Sequence, residues 1–163
     1  MTLRLILMRH AKSGWDDPSL SDHDRPLNKR GRLSATALGG WLRGRGYLPD
    51  LVLCSDAVRT RETLDRLNLG AKVRLLPQLY LAPPGVLMQQ LQQAEQMPTI
   101  LMIAHNPGIA DFAAALTAAP GNADFLRYPT GATSVIDLPI ADWGGAKTGT
   151  GRLVDFIIPR QLI

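Results

Sequence analysis

The feature that most constrains the fold is a regular alternation of apolar runs and helical segments over the first two thirds of the chain. Four short runs are predicted to be strands: Leu3–Met8, Leu51–Cys54, Val73–Leu76 and Thr99–Ala104. Segments with helical spacing follow each of them, over about 28–45, 55–67, 86–96 and 109–118. The pattern predicts an α/β fold with a three-layer open sheet, mainly parallel, and helices on both faces.

Several local signals refine this scheme. Asn28 is expected to cap the first helix, and Ser55 or Asp56 to cap the second. Leu33 is expected to share the buried face of the first helix with Leu38 and Leu42. Two later apolar runs, 132–138 and 153–158, are predicted to be further strands. The glycine-rich stretch 144–151 separates them.

The composition excludes several classes of protein. With 163 residues, 45% of them hydrophobic and 20% charged, the chain is predicted to form one globular domain over 1–163. No apolar run approaches the roughly 18–20 residues of a membrane span, and the N-terminal segment lacks the pattern of a secretory signal. The single cysteine, Cys54, excludes an internal disulfide framework and favours a cytoplasmic location.

The positive charge lies in the first part of the chain. Residues 1–66 carry 12 Lys/Arg and 8 Asp/Glu, which gives +4, whereas residues 67–163 carry 6 of each. No basic run is long enough for a nucleic-acid arm, and aromatic residues make up only 6%. A small anionic group is therefore the expected partner, with neither nucleic acid nor membrane involved.

Basic residues and histidines follow three of the predicted strands. Arg9 and His10 come after the first strand, Arg59 begins the helix after the second, and His105-Asn106 follows the fourth. In open α/β sheets, ligands bind beyond the carboxyl ends of the strands. We therefore expect these side chains to meet at one rim of the sheet.

This combination of side chains suits phosphoryl chemistry. Arginine forks match phosphate oxygens, and nearby cations keep a histidine neutral and nucleophilic. A neutral imidazole can attack phosphorus, while a second histidine stabilises the charge that develops. The arginines can neutralise the phosphate, so no metal or other cofactor is expected, and the three histidines show no metal-ligand spacing.

The motifs at these positions resemble those of the histidine phosphatase superfamily, with its Arg-His-Gly signature, and within it the SixA-like phosphohistidine phosphatases. The resemblance covers residues 3–118 and is carried by LILMRHAKS, DRPLNKRG, SDAVRTRET, LY and AHNPG, which start at residues 5, 24, 55, 79 and 104. It implies a phosphoglycerate mutase-like fold. It also implies that His10 is the nucleophile, that Arg9 and Arg59 bind the phosphate and that His105 completes the pocket. Lys12, Ser13 and Asn106 are further candidates for substrate binding.

The chain departs from the family pattern at two points that bear on mechanism. Ala11 stands where the signature has glycine, and the glutamate that larger members use as general acid has no clear counterpart. Neither of the two glutamates, Glu62 and Glu95, is expected at the rim. A proton donor, if one is needed, would have to come from the aspartates of the loop over 11–27, among which Asp16 and Asp24 are candidates.

The missing glutamate favours one substrate class. An alcohol leaving group needs a proton donor, whereas the imidazole of phosphohistidine leaves readily once its ring is protonated. We therefore predict a phosphatase that removes phosphate from phosphohistidine in a protein through phospho-His10. The alternatives are a phosphatase of a small phosphate monoester and a non-catalytic phosphate-binding module.

Overall fold

The computed structural model describes residues 1–118 and 122–163 and places six strands in a single sheet. The strands are β1 (Leu3–Arg9), β2 (Leu51–Cys54), β3 (Lys72–Leu75), β4 (Thr99–Ala104), β5 (Thr133–Leu138) and β6 (Arg152–Ile157). The helices are α1 (Lys29–Arg45), α2 (Val58–Leu67), α3 (Pro84–Gln92), α4 (Gly108–Leu116) and the short α5 (Ala123–Arg127). No helix within these described ranges is long and apolar enough to cross a bilayer.

The sheet has the order β3-β2-β4-β1-β5-β6. The pairs β3–β2, β2–β4 and β4–β1 are parallel, whereas β5 runs antiparallel to both β1 and β6. The predicted α/β architecture is confirmed, and the sheet is mixed because an antiparallel pair extends its parallel part. This arrangement brings the start of β5 to the edge where β1 and β4 end.

Alternate residues of β1 point into two separate cores. Leu5 and Leu7 pack with residues of α3, α4 and α5, whereas Ile6 and Met8 pack with residues of α1 and α2. All four β1 side chains are fully buried. A strand covered by helices on both faces needs apolar residues at successive positions, which explains the continuous apolar run in the sequence.

The first helix begins where the sequence predicts. The Asn28 side chain accepts a hydrogen bond from the Gly31 N–H at 2.8 Å, which satisfies one of the free donors of the first turn. The helix ends at Gly46, whose φ of 73° is a left-handed conformation that glycine adopts without strain. The placement of Leu33 on the buried face was wrong, since 56% of this residue is exposed. At about 100° per residue, Leu33 lies on the side of the helix opposite Leu42.

The predicted cap of the second helix was also wrong. α2 begins at Val58, and the capping position is Ala57, which offers no side-chain acceptor. Ser55 lies one residue beyond β2, where its hydroxyl contacts His105 instead. The sequence shows only that Ser55 is a residue type suited to helix capping, whereas the fold places Ser55 next to the end of β4.

The two adjacent glycines of α1 provide a matched test of helix packing. A Cβ at Gly39 would lie 2.2 Å from the Leu67 carbonyl oxygen, whereas a Cβ at Gly40 would meet nothing within 4 Å. We expect Gly39→Ala to lower the free energy of unfolding by about 1–3 kcal/mol, because α1 and α2 must separate. We expect Gly40→Ala to raise it by about 0.5–1 kcal/mol through helix propensity. Urea unfolding of both variants checks this, and equal effects of the two would contradict it.

Candidate active site

The register of the sheet places the two candidate histidines side by side. Arg9 pairs with Ala104 across the parallel β1–β4 ladder, so His10 and His105 each follow the last paired residue of neighbouring strands. Their ring centroids are 5.3 Å apart, with the ring planes inclined at 55°. On the other side of β4, Cys54 pairs with Ile103, which brings Ser55 to the same rim. Three neighbouring strand ends therefore supply the floor of the site.

The antiparallel strand β5 supplies a wall that sequence reasoning missed. The Gly131 N–H donates to the His10 carbonyl at 2.9 Å, and the Arg9 N–H donates to the Ala132 carbonyl at 3.0 Å. Arg9 also donates from its guanidinium to the Tyr128 carbonyl at 3.3 Å. The segment before β5 carries no charge pattern or motif that would mark it, and only the strand pairing brings it to the rim.

A cleft of about 510 Å³ opens above these strand ends, and we call it the rim cleft. All seven residues predicted for catalysis or substrate binding lie in its wall. The lining residues are Arg9, His10, Lys12, Ser13, Trp15, Asp22, Arg25, Arg59, Leu81, His105, Asn106 and Thr130. The structure thus brings together residues that are as far as 97 positions apart in the sequence, from Arg9 to Asn106.

His10 is held in the form that a nucleophile needs. Its ring Nδ1 lies 2.7 Å from the Ala11 carbonyl oxygen, which can only accept, so Nδ1 carries the proton. Nε2 is then the nitrogen with a free lone pair. Burial, and after it the charges of Arg9, Arg59 and Arg25, lower the pKa of His10 to about 3. At neutral pH the ring is therefore uncharged and able to attack phosphorus.

His105 is poised as a hydrogen-bond donor. Its Nε2 lies 2.7 Å from the Ser55 hydroxyl, which also accepts a weak bond at 3.4 Å from the Ala57 N–H. Because the Ser55 hydroxyl accepts a bond from the backbone, its own proton can be donated to Nε2 of His105. Nε2 is then unprotonated, and the ring proton is on Nδ1. Nδ1 is buried and has no partner within the described residues. Burial, and then His10 and Arg59, lower the pKa of His105 to about 3, so this ring is neutral as well.

The two arginines have donors to spare. Arg59 is only 2% exposed, and its guanidinium donates to the Asp22 carbonyl at 2.7 Å and to the Asp22 carboxylate at 3.1 Å. Burial lowers the pKa of Arg9, and the Arg59 charge lowers it further. The Nε atoms of both arginines are buried without a partner among the described residues. A buried donor with no acceptor is costly, so an anion would be bound here favourably.

The other predicted binding residues differ in how they are held. Lys12 is exposed at the mouth of the rim cleft. The Ser13 hydroxyl accepts a bond from Arg25 at 3.0 Å, and the Asn106 amide donates to the carbonyls of Arg127 and Tyr128 at 3.1 and 3.0 Å. Ser13 and Asn106 therefore fix the loops around the cleft in addition to lining it.

The loop over 11–27 also contributes an aromatic side chain. Trp15 is 73% exposed, lines the cleft and lies with its ring 3.4 Å from the guanidinium carbon of Arg25. Arg25 itself is buried and bonded to the loop, so the indole is held at the mouth by a cation–π contact. An exposed, ordered ring of this kind is suited to contact a substrate.

The carboxylate that reaches the cleft is neither of the two candidate acids. Asp16 and Asp24 are exposed and lie outside the lining, whereas Asp22 lies within it. The Tyr80 hydroxyl donates a short hydrogen bond to Asp22, and this bond, followed by those from Arg59 and Arg25, lowers the pKa of Asp22 to about 2. Asp22 is therefore ionised at neutral pH and is a poor proton donor. The geometry gives no support to Asp16 or Asp24 as a general acid.

Neither glutamate takes part in the rim cleft. Glu62 accepts a hydrogen bond from the Leu27 N–H at 3.2 Å and so anchors the end of the loop. Glu95 forms ion pairs with Lys72 and Arg74 at 2.7 and 2.8 Å, at the β3 edge of the sheet. The cleft thus combines neutral imidazoles and cations without a protonated carboxyl group among its described lining residues.

The two buried histidines predict a fall in stability in mild acid. Both have a folded-state pKa near 3, against about 6.5 when unfolded, so below pH 6.5 the unfolded chain binds more protons than the folded one. The free energy of unfolding should therefore be intact above pH 6.5 and fall as the pH drops toward 3. Each histidine should contribute about 2 kcal/mol to the loss between pH 7 and pH 5.

Urea unfolding at pH 7, 6 and 5 measures this effect. His10→Asn should remove about half of the decrease, while His23→Asn, at a histidine outside the cleft lining, should leave most of it. A wild-type stability that does not change between pH 7 and pH 5 would contradict the prediction.

Comparisons with known proteins point to one family. The sequence profile described as "Histidine phosphatase superfamily (branch 1)" matches residues 5–80. An uncharacterized protein of Mycobacterium tuberculosis is 34% identical over 160 residues, which cover 94% of this chain and 100% of that protein. Phosphohistidine phosphatase SixA of Escherichia coli is 30% identical over 112 residues, which cover 64% of this chain and 68% of SixA.

A solved structure extends the likeness to the whole fold. The protein from Nakamurella multipartitia that is assigned as a phosphohistidine phosphatase SixA superposes with a TM-score of 0.84 and 31% identity. The match covers 98% of this chain and 97% of that one. The phosphoglycerate mutase-like fold, the sequence profile and the SixA relatives lead to one conclusion: the chain belongs to the histidine phosphatase superfamily and resembles its SixA-like members.

Proposed function

We propose that this protein removes the phosphoryl group from phosphohistidine in a protein, through a covalent intermediate on His10. The proposal rests above all on the lack of a protonated carboxyl or imidazolium group among the described residues of the rim cleft: its carboxylate, Asp22, is ionised, and its two histidines are neutral. A P–N bond to a protonated imidazole breaks without acid help, whereas a P–O bond to an alcohol does not. The names of the SixA relatives support the same substrate class.

In the first step, His10 Nε2 attacks phosphorus while the P–N bond of the substrate breaks. The substrate ring carries a proton on its other nitrogen, so it takes the bonding electron pair and leaves as neutral imidazole. Nδ1 of His10 keeps its hydrogen bond to the Ala11 carbonyl, which stabilises the positive ring of the phosphorylated intermediate. No proton has to be moved by the protein in this step.

Charge on the phosphoryl oxygens is balanced by fixed donors. Arg9 and Arg59 line the cleft and have unbonded Nε–H groups, and His105 has an unbonded Nδ1. These groups are held before the substrate arrives and therefore lose little free energy of reorganisation during the reaction. The arrangement does for the phosphoryl group what bound metal ions do in many phosphotransferases.

In the second step, a water molecule attacks the phosphorus of phospho-His10. The P–Nε2 bond breaks, its electron pair returns to Nε2, and both hydrogens of the water remain on the released dihydrogen phosphate. The products are neutral His10 and inorganic phosphate, so the enzyme returns to its starting state.

The decisive experiment compares substrates under identical conditions. Phosphate release is measured from a small protein that carries one phosphohistidine and from phosphate monoesters, including phosphoserine and p-nitrophenyl phosphate. We expect kcat/KM to favour phosphohistidine, and His10→Ala to remove the activity. Preferential turnover of one monoester would overturn the substrate assignment, and binding of phosphate without turnover of any substrate would favour a non-catalytic module.

A further inference from the structure

A second, smaller pocket adjoins the rim cleft, and we call it the side pocket. Its volume is about 160 Å³, and it shares Lys12 and Thr130 with the rim cleft. Its lining residues are Lys12, Arg30, Ser34, Pro129, Thr130, Ile158, Pro159 and Arg160. A group bound there would lie next to a substrate whose phosphoryl group occupies the rim cleft.

Three separate parts of the chain build the side pocket. Arg30 and Ser34 come from the first two turns of α1, Pro129 and Thr130 from the segment before β5, and Pro159 and Arg160 from the 3-10 turn after β6. Ser34 is buried, and Pro159 packs closely against Gly131. A Cβ added to Gly131 would lie only 2.5 Å from the Pro159 ring. The walls are therefore held by packing, and the cations stand on a fixed surface.

The charge of the side pocket has one sign. Lys12, Arg30 and Arg160 line it, and no carboxylate occurs among its described lining residues. Arg160 is paired with Asp124 at 2.8 Å, but Arg30 and Lys12 have no ion-pair partner within residues 1–118 and 122–163. Clustered like charges on a rigid surface raise the local potential, and a bound anion relieves it.

We infer that the side pocket binds a second anionic group of the substrate, a carboxylate or phosphate close to the phosphoryl group that is removed. In a protein substrate this group is an acidic side chain beside the phosphohistidine, so the inference rests on the proposed function. In a small substrate it is a carboxylate or phosphate of the same molecule. Both sources offer the same chemistry to Arg30 and Lys12, and the experiment below separates them.

The test uses charge-changing variants outside the rim cleft. Arg30→Gln and Arg160→Gln, alone and together, remove cations of the side pocket, and the matched control is Arg66→Gln at the exposed end of α2. The substrates are phosphohistidine peptides in which one glutamate is moved from three residues before the histidine to three residues after it. A peptide with glutamine at all these positions is the reference.

We expect the wild-type enzyme to favour one glutamate position over the glutamine peptide by about five- to tenfold in kcat/KM, the size of one favourable charge pair. The double variant should lose this preference while hydrolysing the glutamine peptide within about twofold of wild type. Arg66→Gln should keep the preference, and raised salt should weaken it. A preference that survives in the double variant, or no preference at any position, would overturn the inference for a protein substrate.

A second pair of substrates separates this inference from the proposed function. If no phosphohistidine peptide is hydrolysed, the proposed function fails, and 3-phosphoglycerate is compared with p-nitrophenyl phosphate. A preference for 3-phosphoglycerate in the wild type that is lost in the double variant would support the inference that the side pocket binds the carboxylate of a small substrate. If the double variant loses kcat/KM equally for both esters, or loses none for either ester, the inference is overturned entirely.

Discussion

His10→Ala is expected to lose on the order of 10⁴-fold or more in kcat/KM for phosphohistidine and to form no phosphoenzyme. The reason is that alanine removes the attacking atom, and only positioning and electrostatic stabilisation by the remaining residues are left. His10 is buried, neutral and bonded through Nδ1, so no other described lining residue offers an unbonded nitrogen lone pair in the same place. The loss should therefore appear in chemistry, with phosphate binding retained.

Trapping of the intermediate gives the sharpest readout. Enzyme mixed with a ³²P-labelled phosphohistidine substrate is quenched in alkali, where a P–N bond survives, and a second portion is treated with acid, where it does not. The wild-type protein should carry label that acid removes, and His10→Ala should carry none. Label that persists on the variant would place the nucleophile elsewhere.

His23→Ala is the matched control for this experiment. His23 lies in the loop over 11–27 and outside the cleft lining, and its Nε2 donates to the Asp56 carboxylate at 2.9 Å. Its replacement should leave both the label and the rate within about tenfold of wild type. Retention of near-native unfolding by His10→Ala excludes misfolding as the cause of its inactivity.

Arg59→Ala is expected to lower kcat/KM by on the order of 10³-fold, in line with the effect of arginines that stabilise phosphoryl transfer. Arg59 is almost completely buried, and its Nε has no partner among the described residues. Arg59 forms an ion pair with the Asp22 carboxylate at 3.1 Å. In the alanine variant this carboxylate is no longer neutralised by Arg59 and repels the phosphoryl oxygens. Arg59→Lys should recover only part of the activity, because an ammonium group cannot form the paired bonds of a guanidinium.

Two further variants separate the roles of Arg59. Arg61→Ala removes an exposed arginine two residues along the same helix, whose Nε donates to the Asp56 carbonyl, and should change activity less than twofold. The double variant Arg59→Ala/Asp22→Asn removes the cation and the anion together and should recover some phosphate binding, since repulsion by the carboxylate is gone. A loss of less than tenfold for Arg59→Ala would show that this arginine does not bind the transferred group.

The two pockets together suggest how the enzyme would distinguish substrates. Under the proposed function, the rim cleft would recognise a phosphoryl group through the cations that line it, and any phosphate would meet this requirement. Selection would then come from the leaving group, because the described lining holds no protonated carboxyl or imidazolium group, and from neighbouring groups of the substrate, through the side pocket. These are separate contributions, so each can be changed without the other.

The sequence by itself determined the succession along the chain of the six strands and of α1 to α4, but not α5, and most of the rim cleft. Continuous apolar runs are required of strands covered on both faces, which is why β1, β2 and β4 could be placed from composition alone. Ligands gather at the carboxyl ends of parallel strands, so Arg9, His10, Arg59 and His105 could be assigned to one rim from the sequence. The Asn28 cap follows from local chemistry that needs no distant partner.

Only the tertiary structure decided which other residues share the cleft and what they do. The pairing of β5 with β1 brings Thr130 to the wall, a side-chain network selects Asp22 over Asp16 and Asp24, and contact with His105 takes Ser55 away from helix capping. Gly39 lies against α2 because of how the two helices pack. Each outcome depends on contacts between residues distant in sequence, whereas local patterns report only periodicity, capping and turn chemistry.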